Sequence, residues 1–245
     1  MTPPVIRAVS LAQRFGGRSI FSDVSFEVRA GEVFAILGGS GCGKSTLMKQ
    51  LIGLLAPSAG QIEVLGQDLA LARWIVRRSI GVMFQSGALF GSMTLLQNVM
   101  LPLEVFTDLP PEGRAAVAQV KLGLVGLADA AGLMPAEISG GMARRAGIAR
   151  ALALDPPLLF LDEPSAGLDP ITSAGIDRLI LDLRQDLGAT VVLVSHELAS
   201  ILAVADRCIM LDGAAQGVIA EGDPRRLRED STQSTVRAFF RREPA

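Results

Sequence analysis

Apolar positions alternate in some stretches of the chain and run unbroken in others, and the two patterns predict different elements. Ile6–Leu11 and Phe21–Val28 read as strands joined through the Gly16-Gly17 turn. The unbroken run Val33–Leu37 predicts a strand buried on both faces, leading into a glycine-rich loop. A helix is predicted over Lys44–Leu55, ended by the turn at Pro57–Gly60. Gln61–Leu65 then returns as a strand, and Ile80–Phe84 is another. From Gln85 to about Leu154 the pattern is helical, with Pro111–Leu124 and Ala143–Leu154 spaced as helices. Strand character resumes at Leu158–Asp162, Thr190–Ser195 and Cys208–Leu211. A helix over Thr172–Gly188 carries Ile176, Leu179, Ile180, Leu183 and Leu187 on one face. This order predicts an α/β core at 1–84 and 155–222, a helical lobe at 85–154 and a tail at 223–245, all one domain.

Composition narrows the classes. The formal net charge of −2 over 245 residues advertises no basic surface, so nucleic acid is not an expected partner. Hydrophobic residues make up 49%, which leaves room for a partner that covers some surface. No apolar run approaches the ~18 residues of a membrane helix. The amino-terminal stretch lacks a charged region followed by an apolar one, so no secretory signal is expected and the chain reads as cytoplasmic. Two cysteines far apart, Cys42 and Cys208, suggest no disulfide framework.

The loop Gly38-Gly39-Ser40-Gly41-Cys42-Gly43-Lys44-Ser45-Thr46 fits the pattern of a phosphate-binding loop between a strand and a helix. Glycines let backbone N–H groups approach phosphate oxygens, and the helix aims its positive end at the same anion. Lys44 would reach the β- and γ-phosphates, and the Ser45 hydroxyl would join a Mg²⁺ shell. Cys42 reads as a small loop residue, although a helix N-terminus could lower its pKa. The strand at 158–162 ends in Asp162-Glu163. Asp162 suits Mg²⁺, held through its waters, and Glu163 can activate an attacking water. The single histidine, His196, follows the strand Val191–Val194 and is placed to sense a γ-phosphate. Gln85 follows another strand end, where it can touch Mg²⁺ or the lytic water.

These motifs, with Ser139-Gly140-Gly141-Met142, resemble the ATP-binding-cassette (ABC) ATPase family over nearly the whole chain. The resemblance implies a RecA-like phosphate-loop core, an antiparallel β subdomain and an inserted helical lobe. It makes Phe15 the aromatic that stacks on adenine, Gln85 the Q-loop residue and Ser139–Met142 the signature. It makes 166–169, with Asp169, the dimer-contacting D-loop, and His196 the switch. It further implies ATP and Mg²⁺, a head-to-tail dimer of two copies, and a transmembrane permease moved by the lobes. The chain would then sit on the cytoplasmic face of the inner membrane. Met142 stands where the family usually has Gln. Ser-Gly-Gly-Met-Ala-Arg-Arg at 139–145, Phe84–Phe90 and Asp169–Thr172 resemble the subgroup that powers phospholipid transport with lipid-binding, mammalian-cell-entry (Mce)-type partners, of the maintenance-of-lipid-asymmetry (Mla) kind. Transport of another solute, or a non-transport role, is the alternative.

Two features stay open at this level. Arg144 and Arg145 are either solvated helix charges or partners of acidic groups that hold the signature helix. In the tail, Val236, Phe239 and Phe240 share a helical face. That face packs on the chain's own core, on a second ATPase subunit or on a membrane surface.

Overall fold

A computed structural model describes residues 3–242, so the first two residues of the amino-terminal stretch and the last three of the tail lie outside the described residues. Along the chain run β1 (Ile6–Phe15), β2 (Arg18–Val28), β3 (Val33–Gly38), α1 (Lys44–Leu51), β4 (Ala59–Val64), β5 (Gln67–Asp68) and α2 (Arg73–Arg78). There follow β6 (Ile80–Met83), α3 (Leu95–Phe106), α4 (Pro111–Leu124), α5 (Gly140–Ala151), β7 (Leu158–Asp162) and α6 (Pro170–Leu187). Last come β8 (Thr190–Val194), α7 (Leu198–Val204), β9 (Arg207–Asp212), β10 (Gly217–Gly222), α8 (Pro224–Asp230) and α9 (Ser234–Arg241). Two compact units result. One comprises residues up to Arg77 together with those from Thr190 onward, and the other comprises Arg78–Ala189. The second unit takes in all of the helical region 85–154 and adds β6, β7 and α6 to it.

The first unit holds an antiparallel sheet in the order β2-β1-β4-β5. The hairpin is longer than its apolar pattern. Gly16 and Gly17 both take positive φ, which closes a two-residue turn directly between Phe15 and Arg18. A register shift beyond Ala8, where Ser10 has φ 48°, breaks the alternation that would have marked the full strand. A second sheet has β3 between β8 and β9, parallel to both, with β10 antiparallel on β9. All six residues of β3 and all five of β8 are buried, as their unbroken apolar runs require. Helix α1 stops at Leu51, short of the expected Leu55, because Gly53 at φ 72° ends it.

The tail packs on the core of its own unit. Val236 and Phe240 are buried with Leu37, Ile201, Cys208 and Met210, and Phe239 packs partly on the same cluster. The rings of Phe239 and Phe240 meet edge to face at 5.4 Å. Burial pushes the Cys208 thiol up to about 12, ahead of nearby Asp223 and Glu221, as befits a core residue.

The second unit contains the parallel pair β6–β7 and the helices α3–α6. A reciprocal capping box starts α3, in which the Thr94 side chain accepts from the Gln97 amide and the Gln97 side chain accepts from the Thr94 amide. Lys121, buried on α4, pairs with Asp155 beyond α5. On α6, Ile176, Ile180 and Leu183 are buried as the periodicity predicts, whereas Leu187 is exposed in the last turn.

Phe240→Ala is expected to lower the unfolding free energy by about 3–5 kcal/mol, because a fully packed ring is removed. Urea unfolding checks this, and a loss below about 0.5 kcal/mol would contradict the packing described.

Candidate active site

In the first unit the loop after β3 is shaped by two glycines that no other residue could replace. Gly38 has φ 141°, and a Cβ there would lie 2.3 Å from the Leu211 carbonyl oxygen. Gly43 has φ 104°, and a Cβ there would lie 2.8 Å from the Phe21 ring. A Cβ at Gly39 or Gly41 would meet nothing within 4 Å, so the face of the loop is open. Gly43 caps α1 in the left-handed conformation, and its carbonyl accepts from the Leu47 amide at 2.8 Å. The first amides of α1 therefore face outward as anion donors. Lys44 Nζ donates to the carbonyls of Gly38 at 2.8 Å and Gly39 at 2.9 Å, which folds the ammonium over the loop mouth. Ser40 and Ser45 are exposed, and Thr46 is partly so.

Cys42 fits its reading as a small loop residue. Its side chain is buried, and desolvation raises the thiol pKa even though Lys44 acts to lower it. Phe15 ends β1 with half of its surface exposed, an aromatic face available for stacking. Ile36 pairs with Val194 in the parallel β3–β8 ladder, where β8 ends, and His196 follows two residues later. His196 is exposed, and the Ser195 hydroxyl behind it is buried and accepts from the Glu197 amide at 3.0 Å.

The second unit repeats this device. Met83 pairs with Leu161 in the parallel β6–β7 ladder, and Gln85 and Glu163 each follow two residues after this last pair. Gln85 is exposed at the start of a 3₁₀ turn, Gln85–Ala88. Asp162 is partly buried at the end of β7, whereas Glu163 is buried at 8% exposure. Glu163 has φ 51°, a left-handed conformation that a glutamate adopts at a cost and that is typical of functional turns.

Ser139 is the N-cap of α5, and its hydroxyl accepts from the Met142 amide at 3.2 Å. Ser139 and Gly140 are exposed, Gly141 is buried and Met142 lies between. A Cβ at Gly141 would lie 2.4 Å from Thr172 Cγ2, so α5 and α6 touch where only glycine fits. Asp169 caps α6, with Oδ1 accepting from the amides of Ile171 at 3.0 Å and Thr172 at 3.1 Å. Hydrogen bonds from Thr172, side chain first, hold its carboxyl below the usual range. Asp169 thus has a local duty as a helix cap, which its motif does not announce.

Arg144 settles one open alternative, because it is buried and not solvated. Desolvation lowers its pKa, and the nearby charges of Glu163 and then Asp162 oppose that shift. Its Nη2 donates to the Ala166 carbonyl at 3.1 Å. Arg145 lies along Gly126 and Gly175. Arg150 was missed at sequence level. It donates from Nη2 to the Gly87 carbonyl and from Nη1 to the Ala88 carbonyl, both at 2.9 Å, and so fixes the turn that bears Gln85. It sits in the last turn of α5, at the opposite end from Ser139–Met142, where no motif draws attention to it.

Ser45 in the first unit carries a hydroxyl, and in the second unit Gln85 carries a carboxamide and Asp162 a carboxylate, each a hard oxygen donor of the kind Mg²⁺ takes. Among the described residues no group of three or more His, Cys, Asp or Glu forms a metal cage. A cation held by one carboxylate plus substrate phosphates needs none.

Residues 21–166 match the family model described as ABC transporter. The chain is 43% identical over 221 residues to the intermembrane phospholipid transport system ATP-binding protein MlaF of Escherichia coli (strain K12), covering 86% of this chain and 82% of that protein. It is 40% identical over 239 residues to the probable ribonucleotide transport ATP-binding protein mkl of Mycobacterium tuberculosis (strain ATCC 25618 / H37Rv), covering 96% of this chain and 66% of that protein. Among solved structures it superposes on the dimeric post-hydrolysis state of the ATP-binding cassette MJ0796 bound to ADP and Pi. The TM-score there is 0.80 and the identity 29%, over 89% of this chain and 98% of that one.

Gly141→Ala is expected to lower stability by about 1–3 kcal/mol through overpacking against Thr172. Adding Thr172→Ser removes the clashing methyl and keeps the hydroxyl, so the double variant should recover part of the loss. Thermal unfolding of the three proteins checks this, and equal stability of Gly141→Ala and the parent would contradict the contact.

Proposed function

The chain belongs to the ABC transporter family, and from that membership we propose that it is the ATP-hydrolysing subunit of a transporter that moves phospholipids between membranes. The observation that carries the phospholipid reading is the identity with MlaF over most of both chains. No residue of this subunit supplies it independently, since a fold and its nucleotide site do not specify cargo.

In this reading Phe15 stacks on adenine, and Lys44 with the amides of 38–46 binds the phosphates. Ser45, Gln85 and Asp162 hold Mg²⁺, which neutralises charge on the β- and γ-phosphates when bound. Glu163 takes a proton from the attacking water, and His196 hydrogen-bonds the γ-phosphate and reports its loss. Two copies pair head to tail, so that Ser139–Met142 of each presents a second helix N-terminus to the nucleotide on the other. Asp169 lies in the D-loop that faces the second copy. Residues 85–154 act as the lobe that passes the cycle to a permease. No helix among the described residues is long and apolar enough to cross a membrane. The membrane-spanning part is assigned to the permease. The complex would include a lipid-binding Mce-type protein, and this chain would lie peripherally on the cytoplasmic face of the inner membrane. A different cargo is the second reading, favoured by the match to mkl over 96% of this chain.

The test of cargo is to purify the tagged full chain from its native membrane in mild detergent and identify what accompanies it by mass spectrometry. A permease, a lipid-binding protein and enriched phospholipid are expected. A permease with a different solute-binding partner would remove the phospholipid assignment and keep the ATPase. Glu163→Gln should retain ATP binding and slow steady-state hydrolysis by about 10²–10⁴-fold. Unchanged turnover would sink the general-base assignment. Lys44→Ala should weaken ATP binding by about tenfold or more, measured by equilibrium titration, since charge-assisted hydrogen bonds to phosphate are lost.

A further inference from the structure

Helix α5 bears the signature at one end, but its buried side chains reach two other motifs of the same unit. Arg144 is 8% exposed, and its Nη2 donates to the Ala166 carbonyl. Ala166 opens the D-loop, and its own amide donates to the Glu163 carbonyl at 3.3 Å. The guanidinium therefore grips the turn that carries Glu163 from the side of the signature helix. Its other terminal nitrogen, Nη1, is buried with no hydrogen-bond partner among the described residues. A buried cation with one bonded arm is tolerable only where opposite charge compensates, and Asp162 and Glu163 provide that charge.

The helix has little freedom to slip relative to this turn. Gly141 is in close contact with Thr172 on α6. A Cβ at Gly147 would come within 2.9 Å of Gly87 Cα, so α5 also lies directly on the Gln85 turn. Arg150 completes that contact through the carbonyls of Gly87 and Ala88. Close-packed elements of this kind move together or switch together, and do not deform continuously.

We propose that Arg144 is a positioning residue for hydrolysis: it makes the catalytic turn 162–166 follow the signature helix. Contact between Ser139–Gly141 and a nucleotide on a second copy is then felt at Glu163 of the same chain. The proposal rests on the reading of Glu163 as general base. A lysine would keep the charge but lose the planar fork, so it should restore the function only in part.

The test compares Arg144→Met, Arg144→Lys and Glu163→Gln in the full chain. Steady-state ATP hydrolysis gives kcat and KM, and amide hydrogen exchange reports on the turn. Arg144→Met should lower kcat about tenfold with KM for ATP within about twofold. Exchange across 163–169 should speed severalfold while α4 keeps its protection. Arg144→Lys should recover about half of the lost rate on a logarithmic scale. Unaltered kcat and exchange in Arg144→Met would overturn the proposal. So would exchange rising equally across α4 in both variants, which would make Arg144 a packing residue. Glu163→Gln separates the two levels. If it leaves turnover intact, the site reading itself fails. If it abolishes turnover while Arg144→Met does not slow it, the site stands and the coupling falls.

Discussion

A backbone must come close enough to wrap an anion, and side chains at two positions would prevent it. At Gly38 a Cβ would run into the Leu211 carbonyl, and at Gly43 into the Phe21 ring. Both glycines also hold positive φ, so shape and space make the same demand. With the loop closed in this way, Lys44 folds back onto the carbonyls of Gly38 and Gly39, and the amides at the start of α1 remain free for phosphate. The strand beneath is buried on both faces and fixed between two parallel neighbours. That register sets the end of β8 beside Ile36, and His196 follows two residues beyond it.

The second unit uses parallel pairing for the same purpose. Gln85 and Glu163 each follow two residues after the last pair of one ladder, Met83–Leu161, and one helix braces the turns they occupy. The polar groups here are mostly engaged in holding other groups. Asp169 caps α6, Ser139 caps α5, and two arginines of α5, Arg144 and Arg150, bind loop carbonyls. Glu163 is held in the left-handed region, as is Ala88 on the Gln85 turn. Strain of that sort persists only when the surroundings over-determine it, and α5 and the D-loop are those surroundings.

The parts legible in the sequence are those where one physical requirement dominates. The runs at 33–37, 158–162 and 190–194 had to be buried strands, and the face of Ile176, Ile180 and Leu183 had to be helical. The glycine-rich loop between β3 and α1 was legible because the backbone shape at Gly38 and Gly43 leaves few choices of residue. The helix α2 was not, since among its six residues only Val76 is buried and no periodic face forms. The end of α1 was misplaced because apolar residues continue past Gly53, whose left-handed conformation decides the matter. The pairing of buried Lys121 with exposed Asp155 and the buried pair Gln13–Gln50 were invisible, because their members lie 34 and 37 residues apart and only tertiary packing joins them. The same holds for Arg150 and the turn at Gln85, 62 and 63 residues away from the carbonyls it binds. Arg144 was ambiguous for a related reason. Its neighbours in sequence say that it is on a helix, but only the fold says what that helix covers.

The central claim is that one nucleotide is served by the phosphate loop of one copy and the signature of another. It is tested most directly by complementation between two inactive chains, one carrying Lys44→Ala and the other Ser139→Phe. A mixed dimer contains one site with an intact loop from the second chain and an intact signature from the first. Co-expressed and co-purified under separate tags, the mixed species should regain hydrolysis that neither variant shows alone. A mixed dimer as inactive as its parents would contradict the account, because each chain would then need both motifs to serve its own nucleotide.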